Sequence, residues 1–424
     1  MRSFILNAEY ASSFGAYWMV YGIIGSFASV FMLAKGYDNM HIGMTLAAAN
    51  LLAFVMQPFI ADRMDRAKGI KLIDSSVYMT LAMMLIGAGY FIFAGGSFML
   101  AAAIVLILAL HALLQPGLNS LAFRLSKSGV DVSFGIGRAG GSLGFSAIVA
   151  VIGTLVEKMG VMVLPVSAEA ACLLLIALLL LTKNTFLKMT RETVEKKPAA
   201  LAGSADAEKA VAPAESAGAE SETAAEQDDE RIDLKEFIAR NRYFFIMNLG
   251  VAGLFFSNAV LTNYMAQIAG NVGGTTEQVG RILSLMALLE MPTMLFYDRI
   301  RRHFSSVTLI RLASIGFTAK IAVCWIAGSV TLLFAAQFFQ LIAFALMMPG
   351  MVYYINEIMS PGEAVKGQAL FTMMIVLSTI AASFAGGWIL DVSGAKTLTF
   401  VSLAVTAAGA AVVITTIGRV KAHR

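Results

Sequence analysis

Residues 98–124 read FMLAAAIVLILALHALLQPGLNSLAFR, a run with no carboxylate and with its first basic residue at its last position, Arg124. As a helix it would extend about 40 Å at ~1.5 Å per residue. That exceeds the ~30 Å hydrocarbon core of a bilayer. Nothing in the run alternates with period two, as the ten-residue strands of a membrane barrel would. In hydrocarbon only helices and closed barrels satisfy every backbone polar group, so the stretch reads as a membrane-spanning helix. Moving outward in both directions, similar runs fall roughly at 13–34, 42–61, 73–95, 134–157, 163–182, 244–269, 277–297, 306–327, 330–358, 368–391 and 397–418. The expectation is an all-α integral membrane protein of twelve spans in two similar six-helix bundles.

Composition agrees. The chain is 58% hydrophobic and 14% charged, with a mean hydropathy of +0.77, which excludes an ordinary soluble domain and makes the lipid bilayer its solvent. A net charge of +4 without a basic stripe interleaved with aromatics argues against a nucleic-acid partner. Cys172 and Cys324 each sit inside an apolar run, with no C-x2-C spacing, and read as small core residues. No metal or organic cofactor is expected. MRSFILNAEYASSFG has no small-residue cleavage site after its first apolar run and reads as part of a retained first span.

Positive charge is segregated between loops. Arg63, Arg66, Lys68 and Lys71 follow the second run, Arg124 and Lys127 the fourth, Arg299, Arg301 and Arg302 the eighth, and Arg419, Lys421 and Arg424 the last. The opposite loops hold little beyond Lys35, Lys158 and Lys396. The positive-inside rule therefore puts both termini in the cytoplasm. The expected divisions are an N-terminal bundle, 1–183, a largely disordered cytoplasmic linker, 184–240, and a C-terminal bundle, 241–424. The linker passes from Lys188, Arg191, Lys196 and Lys197 into an Ala- and Glu-rich tract. The sequence DLKEFIARNRYFF that follows reads as a short amphipathic helix at the membrane interface.

A single offset relates the halves. Pro58 and Pro292, Gly153 and Gly387, and Gly160 and Gly394 are each 234 residues apart. The segments GTLVEKMG, 153–160, and GWILDVSG, 387–394, share a pattern G-x3-acid-x2-G at the ends of the fifth and eleventh runs. Such duplication belongs to transporters that rock two bundles about a central site.

Twelve spans, a long central loop and a 6+6 repeat together resemble the major facilitator superfamily. That family carries a G-x3-D-R/K-x-G-x-R/K-type motif after its second span, and here ADRMDR, 61–66, precedes Lys68, Gly69 and Lys71, a partial match in which Ala61 replaces a glycine. FGIGRAGGSLGF, 134–145, resembles the fifth-span motif of the branch that holds lactose permease, the nucleoside-proton symporters and the phenylpropionate permeases. GRILSLMALLEMPTML and MVYYINEIMSPGEAVKGQALFT resemble the same branch and the sugar-efflux transporters. The resemblance implies substrate contact for Arg138, a place for Lys320 near a ninth-span arginine, and a place for Gln340 near a tenth-span histidine. The fourth-span acid that partners the sugar-binding arginine is replaced here by Ser120, which argues against lactose itself. A bacterial cytoplasmic (inner) membrane and a monomeric state are the corresponding expectations.

An ionisable side chain at bilayer depth costs about 2.5–3.5 kcal/mol on insertion scales and marks a cavity or a partner. Glu290 and Lys320 lie mid-span and could pair, either as a proton-coupling site or as a static bridge. His111, Gln115 and Asn119 recur every four residues beside Pro116 and would line one face of the fourth span. Asn263 and Gln267, and Gln337 and Gln340, are similarly spaced, as cavity lining or as ties between helices. Asp65 and Arg66, opposite Arg301 and Arg302, are expected to make cytoplasmic gate contacts between the halves. These features favour a secondary active transporter of a small solute (sugar, nucleoside or aromatic acid), working by proton-coupled symport. Efflux by proton antiport and a non-transporting sensor are the alternatives. An enzyme is not expected, because no H-E-x-x-H occurs and the histidines are scattered.

Overall fold

The computed structural model describes residues 2–66, 69–126, 132–201 and 234–420, and among these there is no strand. The principal helices are α1 (Arg2–Ile24), α2 (Asn39–Arg66), α3 (Gly69–Gly87), α4 (Phe98–Ser126), α5 (Phe134–Met159), α6 (Val163–Leu201), α7 (Arg242–Asn263), α8 (Thr276–Leu295), α9 (Ser306–Ile326), α10 (Val330–Gln337), α11 (Phe344–Ile358) and α12 (Pro361–Thr416). Helices α10 and α11 form one span, broken by the 3-10 turn Phe338–Leu341. Ten segments among the described residues are long and apolar enough to cross a bilayer, the last being Gly362–Arg419. That segment is two rods, because Gly394 has φ 78 within α12. Helix α8 is not among the ten; it carries Glu277, Arg281 and Glu290 and supplies the remaining rod.

Gly160, which closes α5, has φ 85. The two repeat-related glycines thus occupy the left-handed region that side chains avoid, and the shared pattern in the sequence is a shared chain reversal. Helix α6 continues through Leu201. This helix runs past position 184, where the polar stretch of the sequence begins. Residues 202–233 lie outside those described. The short helix Leu234–Arg240 is present, and Phe237 is fully buried in the core of the C-terminal half. Its apolar face is therefore turned onto protein.

The distribution of the core explains how the halves meet. One apolar cluster holds Tyr10, Phe14, Leu72, Leu118 and Leu179 of the N-terminal half. A second holds Phe244, Phe255, Phe317, Met347 and Phe371 of the C-terminal half. Both lie toward the face that carries the chain termini. Toward the opposite face a single cluster joins both halves, running from Val20, Ile42 and Val149 to Tyr264, Ile282 and Leu398. The halves are fused on one face and separate on the other.

Candidate functional site

The fused face is closed by two crossings between halves, α5 against α8 and α2 against α12. At each, glycines let backbones approach. A Cβ on Gly153 would lie 2.8 Å from Thr276 O and 3.1 Å from Gly280 Cα, and one on Gly387 would lie 2.2 Å from Asn39 O and 3.1 Å from Gly43 Cα. Four residues beyond each glycine stands the acid of the repeat. Glu157 Oε2 accepts from the Thr276 backbone N–H at 2.9 Å. Asp391 accepts from the N–H groups of Asn39, at 3.1 Å, and Met40, at 2.6 Å, and from Asn39 Nδ2 at 2.8 Å.

Each helix so engaged is also capped by its own chain. Thr275 and Gln278 form a capping box on α8, and Asp38 accepts from the His41 N–H at 2.7 Å on α2. That bond holds the Asp38 carboxyl below its ordinary 3.8. The opening N–H groups of a helix lack internal partners and carry the positive end of its dipole, so a carboxylate from the other half is attracted there.

Further into the crossing, Ser146 Oγ and Ser284 Oγ are 2.8 Å apart, joining α5 to α8. Below this contact, toward the terminal face, the halves part. Arg138 is eight residues from Ser146 and Glu290 six from Ser284, so at ~1.5 Å per residue they lie about 12 and 9 Å below the serines. They lie at similar depth on the two helices joined by the serines.

Glu290 and Lys320 do not touch. Gln340 stands between them, accepting from Lys320 Nζ at 2.6 Å and donating through Nε2 to Glu290 Oε1 at 2.7 Å. The pairing that the sequence left open runs through this chain of three. Lys320 and Gln340 are buried while Glu290 is partly accessible, so the chain runs from the cavity wall into the C-terminal half.

On the N-terminal wall His111 is buried, stacked on Tyr17 at 4.1 Å, with Nε2 3.0 Å from Tyr17 O. Tyr17 in turn donates to His111 O at 3.1 Å. Two turns lower on the same helix, Asn119 is half-buried and its Oδ1 has no hydrogen-bond partner. Gln115 between them is half-buried.

Asn263 donates to Ser383 Oγ at 2.9 Å and Gln337 to Leu333 O at 2.9 Å, bonds internal to the C-terminal half. Gln267, in contrast, reaches Asn39 Oδ1 at 3.1 Å across the halves. The side chains of Asp65 and Arg66 lie outside those described. Arg301 bonds Asp298 Oδ1 at 3.0 Å and packs over the Tyr353 ring at 4.2 Å. Arg302 is exposed. The expected gate contacts of Asp65 and Arg66 therefore fall outside the described side chains.

The sequence reading noted Glu157 and Asp391 as repeat landmarks without assigning them a partner. It passed over Glu169, half-buried on α6 where Gly87 leaves room for it. It also passed over the half-exposed Trp18 and Tyr21. Among the described residues no cluster suits a metal ion.

Residues 10–401 match the sequence profile of the MFS_1 like family. Among solved structures the chain is similar to a point mutant of the nucleoside transporter NupG, with a TM-score of 0.70 and 14% identity over 97% of this chain and 99% of that one. It is also similar to a point mutant of the peptide transporter POT in complex with alafosfalin, with a TM-score of 0.66 and 16% identity over 98% and 94%. A third is a bacterial homologue of the human lysosomal transporter Spinster in an inward-facing, unoccupied conformation, with a TM-score of 0.60 and 13% identity over 98% and 93%. Comparison with curated proteins finds no match.

Proposed function

Because this chain belongs to the MFS_1 like family of multi-pass membrane transporters, and is therefore a secondary transporter rather than an enzyme, we propose that it carries a small solute together with a proton. The observation that bears most on this reading is the Glu290–Gln340–Lys320 chain at the cavity wall. A carboxyl at that depth is costly as an ion unless partnered. Its protonation would therefore be tied to whatever approaches from the Arg138 side. Protonated, Glu290 releases Arg138 for solute; ionised, it competes for the same guanidinium. In this scheme Arg138 grips the polar edge of the solute. The crossings on the fused face are the outer closure of an alternating-access cycle, with the terminal face toward the cytoplasm of a bacterial inner membrane.

The test is proton movement in vesicles holding the purified protein, driven by disaccharides, nucleosides or aromatic acids, with Glu290→Gln in parallel. Alkalinisation with one solute class that vanishes in the variant supports symport. Solute flux with no proton movement overturns it in favour of a uniporter. Extrusion driven by an inward proton gradient would instead establish antiport.

A further inference from the structure

The roof of the cavity is aromatic. Arg138, Gly141 and Phe145 lie on one face of α5, and a Cβ on Gly141 would meet Trp18 Cδ1 at 2.5 Å, so the indole rests on that glycine. Gly141 is five residues below Ser146, about 7.5 Å at ~1.5 Å per residue. The indole thus sits between the serine closure and Arg138. Trp18 meets Tyr17, Tyr21 and Phe145 edge to face at 5.5, 5.7 and 6.4 Å. Tyr21 in turn stacks on His111 at 5.5 Å and on Phe145 at 6.2 Å.

Most of this group is sealed, including Tyr10, Phe14, Tyr17, His111 and Phe145. Trp18 and Tyr21 alone in it are half-exposed. Their polar ends differ from those behind them. The hydroxyls of Tyr10 and Tyr17 donate to Leu118 O and His111 O at 3.1 Å, whereas among the described residues neither the Trp18 indole N–H nor the Tyr21 hydroxyl has a hydrogen-bond partner. Aromatic residues with a polar tip ordinarily find one. Two half-exposed rings, held from behind by their aromatic neighbours and with their polar tips unpartnered among the described residues, lie between the serine contact and the level of Arg138.

We propose that the transported solute carries a flat π-bearing ring that lodges under the Ser146–Ser284 closure against Trp18 and Tyr21, with its polar edge turned toward Arg138 and Glu290. This rests on the transport reading above and narrows it. Nucleosides and aryl carboxylates have this chemistry; disaccharides and aliphatic dipeptides do not. The rings set specificity by contact area and ring geometry, and the charges orient the polar edge.

The chain has three tryptophans, Trp18, Trp325 and Trp388. Trp388 is exposed, and Trp325 packs on Phe400 away from this site. Replacing them by Trp325→Phe and Trp388→Phe makes Trp18 the sole indole reporter in the purified full-length protein. Uridine, phenylacetate, a disaccharide and dialanine are then titrated separately.

The expected result is a saturable change in Trp18 emission with uridine or phenylacetate, and none with the other two. Which of the two ring probes responds separates a neutral polar edge from an anionic one. In the otherwise native chain, calorimetry should find Trp18→Leu weakening that ring probe about tenfold, as loss of an aromatic contact with its buried area predicts. Trp18→Phe should retain most of the affinity, which separates ring contact from misfolding. Saturable binding of the disaccharide or dialanine, or failure of both ring probes, overturns the proposal. Ring-probe binding without flux into vesicles would instead remove the transport reading and leave the aromatic site standing.

Discussion

Glu157 and Asp391, 234 residues apart, do the same thing in opposite directions: each places its carboxylate on the first N–H groups of a helix in the other half. A carboxylate at a helix N-terminus contributes about 0.3–1 kcal/mol, up to ~2 when partly buried. Glu157→Gln or Asp391→Asn should therefore shift the ratio of closed to open on the fused face by about 2- to 30-fold toward open. Spin-label distances across that face, compared with the native chain, check this; an unchanged distribution in both variants would sink the latch.

The glycine crossings are less forgiving. At Gly387 a side chain would begin 2.2 Å from Asn39 O, which is backbone and cannot swing away. Gly387→Leu, and Gly153→Leu at the partner crossing, should hold the fused face open. A thiol reagent bridging Lys158→Cys to Glu277→Cys would then join the halves far less efficiently than in the otherwise native chain.

Gln340 is the hinge of the polar chain. Gln340→Leu leaves Lys320 buried without its acceptor, at a cost of about 1.5–3 kcal/mol, and thermal unfolding should register the loss. Adding Lys320→Met should recover stability, since the stranded ammonium is gone, while leaving uptake abolished. If the double variant is no more stable than Gln340→Leu, the bridge is not what holds Lys320.

Asp298 supplies a pH control. Hydrogen bonds from the Tyr353 hydroxyl and the Arg301 guanidinium hold its carboxyl below the ordinary 3.8. A depressed value means that its stabilising contribution is present above the ordinary pKa and is lost as pH falls through the lower folded one. Over roughly pH 5 to 8 the cluster stays constant. The pH profile of uptake by Asp298→Asn should match the native shape in that window; a displaced profile would implicate the terminal-face cluster in coupling.

What could be read in the sequence and what could not divides along physical lines. Burial in lipid imposes long apolar runs and a charge asymmetry between loops, both local properties, so helix positions and the repeat were legible down to Gly160 and Gly394. Helix α8 was found by its pattern despite the charges that leave it less apolar than the other spans. Glu290 and Lys320 stood out because charge is rare at that depth. Their bridge by Gln340 was not legible, because Gln340 lies twenty residues from Lys320 on another span and a lone glutamine carries no signal of its partner. The bond of the Arg301 guanidinium to Asp298, three positions away, was not singled out, because in sequence a basic cluster at a helix end reads first as topology-setting charge. Trp18 and Tyr21 look in sequence like any packed aromatic pair. Their exposure depends on where the two cores separate.

That separation makes the molecule a wedge. With one shared core on the fused face and two independent ones on the other, its packing differs between the two leaflets, and in the proposed cycle closing the terminal face would exchange that asymmetry. In that cycle the lateral pressure profile of the bilayer would act as an effector, and lipids that crowd one leaflet's acyl region would bias the carrier with no contact at the solute site.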